Sequence, residues 1–103
     1  METDNVMLKD MESTFKECLE VAKKKNADYA GAGNDPFRNF RNSSVVGVPP
    51  QQGVMVRLMD KMSRIGNLLT KEAEVKDEAV EDTIDDAINY LAILKSMRKN
   101  KIQ

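Results

Sequence analysis

The sequence predicts an all-α fold of three main helices, with a long ordered loop between the first and the second. Two observations carry that expectation. Apolar residues recur at three- and four-residue spacing in three separate segments. Seven Gly or Pro, by contrast, fall in the twenty-four positions from 30 to 53. A length of 103 residues fits one domain, 1–103, with a core that is feasible but thin. Five aromatic residues and no Trp make that core aliphatic, drawn from Leu, Ile, Val and seven Met.

Each element has its own pattern. From about 4 to 25, Met7, Met11, Phe15, Cys18, Leu19 and Ala22 form an apolar stripe with charges between them. Cys18 lies on that stripe and is expected to pack, not to react. The stripe fades near Asn26, although Ala27 to Tyr29 can add a turn. Residues 30–53 hold neither helix nor strand period, yet they contain Phe37 and Phe40, two of the three Phe. A disordered linker seldom concentrates scarce aromatics, so an ordered loop is expected, folded back on the helices or against a second subunit. The second helix, about 54–69, carries Val54, Leu58, Met62, Ile65 and Leu69 on one side and Arg57, Asp60, Arg64 and Asn67 on the other. A polar connection leads to the third helix, about 77–99, with Val80, Ile84, Ala87, Leu91 and Leu94 as its apolar stripe.

Composition excludes several chemistries. The chain has no His, which removes Ser-His-Asp catalysis, imidazole bases and imidazole metal sites. One Cys removes an intramolecular disulfide and every multi-Cys zinc or iron–sulfur site. A metal here would need oxygen ligands, which points to magnesium, manganese or calcium. A net charge of −1 argues against general nucleic-acid binding. No apolar run approaches a membrane span and no signal-peptide core is visible, so a soluble cytoplasmic protein is expected.

Charge is nonetheless segregated. Residues 72–86 carry eight acids against Lys76 alone, a local charge of −7. Basic residues gather at Lys23 to Lys25, at Arg38 and Arg41, and near the C-terminus. On the third helix Glu78, Asp82, Asp85 and Asn89 fall within roughly 60° of arc, with Asp86 at its edge. Asp82 and Asp86, at i and i+4, are placed to share a divalent cation. Acids near a helix start also simply favour the helix dipole, so the metal role and the structural role both stand. The loop Gly31-Ala-Gly-Asn-Asp-Pro-Phe-Arg-Asn-Phe-Arg41 joins an Asx turn at Asp35-Pro36 to two Arg and two Phe. Arg forks match phosphate oxygens and Phe can stack on a base, but the same Phe can equally plug a helix interface.

The order of four motifs is informative. Lys25-Asn26-x-Asp28-Tyr29 is followed by Asp35-Pro36-Phe37-x-Asn39-Phe40. Next comes Gly53-x-x-x-Arg57-x-x-Asp60-Lys61-x-x-Arg64, and last Asp77-Glu78-x-x-x-Asp82-x-x-x-Asp86-x-x-Asn89-Tyr90. Over residues 14–94 this series resembles the nucleotide modification associated domain 1 family, small proteins common in bacteriophages and prophages. The third helix is also similar to that of MazG-like and dimeric dUTPase-type all-α pyrophosphohydrolases. In those enzymes carboxylate pairs on two helices hold magnesium on a nucleoside triphosphate. Here Asp86 matches the final acid, with Thr83 three before it, and Asp60 is followed by Ser63 where a second acid would stand.

The resemblance implies a nucleotide or nucleotide-derived ligand held by Lys25, Asp28, Tyr29, Phe37, Arg38, Asn39, Phe40, Arg57, Lys61, Arg64 and Asn89. It implies magnesium on Asp60, Glu78, Asp82 and Asp86, a metal-bound water as attacking group, and the host cytoplasm as setting if the protein is phage-encoded. Two activities fit: a magnesium-dependent (deoxy)nucleoside triphosphate pyrophosphohydrolase, or a non-catalytic counter-defence protein that sequesters a nucleotide or cyclic-nucleotide signal. A purely structural oligomerisation domain is the third alternative. Three short helices give little interior, so a homo-oligomer that completes the bundle is expected.

Overall fold

A computed structural model describes residues 5–29, 35–70 and 80–103. Among the described residues every regular element is helical and none is a strand. The order is α1 (Val6–Tyr29), a 3-10 helix (Arg38–Val46), α2 (Pro50–Thr70) and α3 (Val80–Lys99). Among the described residues there are therefore four helices where three main ones were expected, because part of the expected loop is helical.

Side chains explain that difference. Asp35 Oδ1 accepts the Phe37 backbone N–H at 2.9 Å, which forms the Asx turn and starts the 3-10 helix. Ser44 Oγ donates to the Arg41 carbonyl at 2.6 Å and Ser43 Oγ donates to the Val48 carbonyl at 2.9 Å. Gly47, at φ 80°, ends the segment in the left-handed conformation, and its N–H donates to the Ser44 carbonyl at 3.0 Å. Pro50 opens α2 instead of breaking the chain, since a first-turn residue has no intrahelical acceptor for an N–H. The first helical bond runs from the Gly53 N–H to the Pro49 carbonyl at 2.9 Å, so α2 begins four residues before its expected start.

At the other boundaries the changes are smaller. Asn5 Oδ1 accepts the Leu8 N–H at 3.1 Å and caps α1. α1 then runs through Tyr29, one turn beyond the expected end near 25. Residues 77–79, expected to open the third helix, lie outside the described residues.

The core lies mainly between α2 and α3, with the 3-10 helix on α2 and α1 on α3. Pro50, Val54 and Leu58 of α2 are buried, as are Thr83, Ala87 and Met97 of α3 and Cys18 of α1. The expected apolar stripes are only partly inward. On α3, Ala87 is buried and Val80, Ile84 and Leu94 are half-buried, but Leu91 is exposed. The buried stripe of α3 includes Thr83, a polar residue that an apolar pattern passes over. On α2, Met62 and Leu69 are exposed although Val54 and Leu58 are buried. On α1, Met7, Met11, Phe15 and Leu19 are exposed, and every residue from Val6 to Ser13 faces solvent. The second half of α1 reaches α3, through Cys18 and Lys25.

Candidate functional site

A pocket of about 360 Å³ opens where α1, the start of the 3-10 helix, α2 and α3 converge. Its walls are mostly apolar, with a few polar groups set among them, which is the usual make-up of a small-molecule site. Phe37, Asn39 and Phe40 reach it from the Asx turn and the 3-10 helix, and Lys25 from α1. Arg57 reaches it from α2, and Asp86 and Asn89 from α3. These residues stand in four different segments of sequence, and all were singled out from the sequence.

The first turn of the 3-10 helix is anchored before it reaches the pocket. Asp35 Oδ2 accepts a hydrogen bond from Arg41 Nε at 2.7 Å, in addition to the Phe37 N–H on Oδ1. These bonds, the Arg41 one foremost, hold the Asp35 carboxyl below the ordinary carboxylate range. With both oxygens engaged, Asp35 fixes the direction in which Phe37 and the residues after it enter the pocket.

Arg57 lies over the ring of Phe40, its guanidinium carbon 5.5 Å from the ring centre. Among the described residues no carboxylate pairs with it. A half-buried guanidinium on an aromatic face keeps its N–H fork available for two oxygens of an anion.

Asp86 is held differently. Lys61 Nζ lies 3.0 Å from its Oδ2 and Lys25 Nζ 3.4 Å from its Oδ1. The carboxylate thus joins α1, α2 and α3 at the pocket wall. One turn on, Asn89 Nδ2 donates to the Cys18 carbonyl at 3.0 Å, while Cys18 Sγ lies 3.8 Å from the Asp85 carbonyl. Burial first, and Asp85 second, push the Cys18 thiol above its ordinary pKa. Cys18 is therefore a packing residue and a neutral thiol, not a nucleophile.

Other expected site residues lie elsewhere. Arg38 and Arg64 are exposed and outside the pocket lining, and Lys61 touches the site only through Asp86. The side chains of Asp28 and Tyr29 lie outside the described residues. Of the expected magnesium set, Asp60 and Asp82 are exposed and do not line the pocket, and Glu78 lies outside the described residues. Among the described residues no group of three or more acidic or Cys side chains converges as a metal cage would require. Asp86, the described member that does line the pocket, is already compensated by two lysines.

Some of the lining was not anticipated as site residues. Asn26, Asp35, Pro36 and Tyr90 belong to the sequence motifs, but Ala22, Ile93 and Ser96 fall in no motif. Spacing does connect Tyr90 and Ile93 with Asp86 and Asn89 on one side of α3, at intervals of three and four. No helix of the described residues is long and apolar enough to cross a membrane. No family model, curated protein or solved structure matches the chain.

Proposed function

We propose that the pocket binds a nucleotide or a nucleotide-derived small molecule and holds it without cleaving it. The observation that carries this is Arg57 lying over Phe40 at the wall of a mostly apolar pocket, with no carboxylate partner among the described residues. Arg57 offers a fork to phosphate oxygens, and Lys25 adds a second positive charge. Phe37, Phe40 and Tyr90 offer ring faces to a base. Asn39 and Asn89 supply amide groups of the kind that read base edges. A protein that withdraws such a ligand from solution fits the counter-defence role that its motif resemblance to bacteriophage proteins implies.

Hydrolysis of a (deoxy)nucleoside triphosphate is the second activity. It asks for magnesium on Asp60, Glu78, Asp82 and Asp86, where the ion would supply Lewis-acid chemistry. The bonds of Asp86 to Lys25 and Lys61 favour sequestration, because both oxygens already face ammonium groups.

The test mixes the intact protein with deoxy- and ribonucleoside triphosphates and cyclic dinucleotides, with and without magnesium, and separates the products chromatographically. At least one nucleotide is expected to leave the free pool and to return intact after heat denaturation. Arg57→Ala is expected to weaken retention about tenfold or more, as loss of a charged hydrogen-bonding group does. A panel that stays free and intact overturns the proposal. Pyrophosphate and a monophosphate, lost in Asp86→Asn, replace sequestration with hydrolysis.

A further inference from the structure

Charge sets an upper limit on what the pocket can hold. Among its described lining residues four are charged: Lys25, Asp35, Arg57 and Asp86. Asp35 is already neutralised, because Arg41 Nε donates to its Oδ2 at 2.7 Å. Asp86 faces two ammonium groups, Lys61 at 3.0 Å and Lys25 at 3.4 Å. Arg57 lies on the Phe40 ring and has no carboxylate partner among the described residues. One lysine suffices for Asp86, so two positive charges remain, Arg57 and the other lysine.

Geometry says which lysine that is. Lys61 makes the shorter bond, from a side chain 30% exposed, and does not line the pocket. Lys25 makes the longer bond, from a side chain 51% exposed, and does line it. An ion pair that open to water is weak. Lys25 is thus the ammonium free to turn from Asp86 to a ligand, while Lys61 keeps the carboxylate neutral.

A phosphate monoester carries about 1.5 to 2 negative charges at neutral pH, and Arg57 with Lys25 meets it in either ionisation state. The Arg57 fork takes two of its oxygens and the Lys25 ammonium a third. Each further phosphoryl group adds charge that no remaining cation of the described lining meets, in a pocket that also holds Asp35 and Asp86. Unpaired charge in mostly apolar surroundings is costly. Among the described residues no acids converge to bring in a neutralising metal. Volume agrees with charge. At about 360 Å³ the pocket stands near the lower end of the roughly 300–1,000 Å³ usual for small-molecule sites. That suits one base, one sugar and one phosphoryl group.

We propose that the ligand is a nucleoside monophosphate, its single phosphoryl group held between Arg57 and Lys25; this deepens, and depends on, the nucleotide-binding role of the pocket. Free nucleosides lack the anion, and di- and triphosphates exceed the charge that the lining meets. Cyclic dinucleotides double the base and sugar that the volume admits.

Equilibrium dialysis of the intact protein, with EDTA present, tests this against the four deoxynucleosides, their 5′-mono-, di- and triphosphates, and cyclic dinucleotides. For the preferred base the monophosphate is expected to bind about tenfold or more tighter than the triphosphate and the nucleoside. Lys25→Gln is expected to weaken the monophosphate about tenfold. Asp86→Asn removes a negative charge from the wall and is expected to narrow the gap between mono- and triphosphate, with helical circular dichroism retained. If Asp86→Asn does not fold, the phosphate series on the parent protein and Lys25→Gln decide the matter. A triphosphate or cyclic dinucleotide held as tightly as the monophosphate overturns the inference but leaves the pocket a nucleotide site. So does a monophosphate affinity that Lys25→Gln leaves unchanged, or a gap that folded Asp86→Asn leaves as wide. Failure to bind any member of the series overturns the nucleotide-binding role and the monophosphate assignment together.

Discussion

Gly53 lies in the first turn of α2, and its missing side chain is what lets the 3-10 helix dock there. A Cβ at that position would meet Ser43 Oγ at 2.5 Å and Ser43 Cβ at 2.7 Å. Ala is the better helix former by about 1 kcal/mol, so local propensity favours Gly53→Ala. The contact opposes it, and Ser43 is not free to move, because its hydroxyl is bonded to the Val48 carbonyl. Gly53→Ala is therefore expected to lower thermal stability by about 1–3 kcal/mol. Retention of nucleotide should weaken with it, since Asn39 and Phe40 ride on the displaced helix. Calorimetry alongside the retention assay checks both, and a higher melting temperature with unchanged retention would show that Ser43 yields. Thr83 shows the opposite constraint: it is 4% exposed, so the acid of a pyrophosphohydrolase pair could not stand there without burying an unpaired charge.

Among elements, the 3-10 helix depends most on its ends. Asp35 fixes its start and Gly47 its finish, and none of its own residues is buried. The Asp35 carboxyl is held below the ordinary carboxylate range, so its contribution is present above the pKa of the unfolded chain. That contribution is lost as pH falls through the depressed folded value. Retention of nucleotide should stay level from neutral pH down into the usual carboxylate range and drop below it. Asp35→Asn keeps an acceptor for the Phe37 N–H but removes the charge facing Arg41. It is expected to show at neutral pH the weakened retention that the parent shows only in acid. A titration of binding against pH for both proteins checks this, and superimposable curves would remove Asp35 from the site's support. The end of α3 is fixed in a comparable way. Lys101 adopts φ 55°, the Ile102 N–H reaches back to the Met97 carbonyl at 2.9 Å, and Gln51 Nε2 donates to the Ile102 carbonyl at 2.8 Å.

For the molecule as a whole, the balance of burial matters more than any one contact. Few of the described residues are fully buried, and large apolar side chains remain exposed along α1 and α2. If a second copy provides the remaining burial, folding and association are one equilibrium, and stability depends on protein concentration. The melting temperature is expected to rise by about 3 °C for each tenfold increase in concentration. Scans at two concentrations a hundredfold apart check this, and a constant melting temperature would mean that one chain is stable alone. The two lysines on Asp86 also act at this scale, because they tie the three long helices together beside the pocket.

The sequence by itself determined the helical class, three long helices in their order and the Asx turn at Asp35. Each depends on neighbours in the chain: a period of three to four residues, or an acid two residues before the N–H it accepts. It also picked out Phe37, Asn39, Phe40, Arg57, Asp86 and Asn89, because scarce aromatics and ordered polar motifs stand out without coordinates. Only the tertiary structure decided which of several apolar stripes is inward. Val54, Met62 and Leu69 share one stripe by period count, yet Val54 is buried and Met62 and Leu69 are exposed. Only the structure set Asp86 between Lys25 and Lys61, sixty-one and twenty-five residues away in sequence, and laid Arg57 on Phe40. The 3-10 helix escaped the sequence because it is held by Ser hydroxyls and a left-handed glycine, not by an apolar stripe. Local chemistry fixes what forms along the chain, whereas long-range packing fixes which faces meet and so where a ligand can sit.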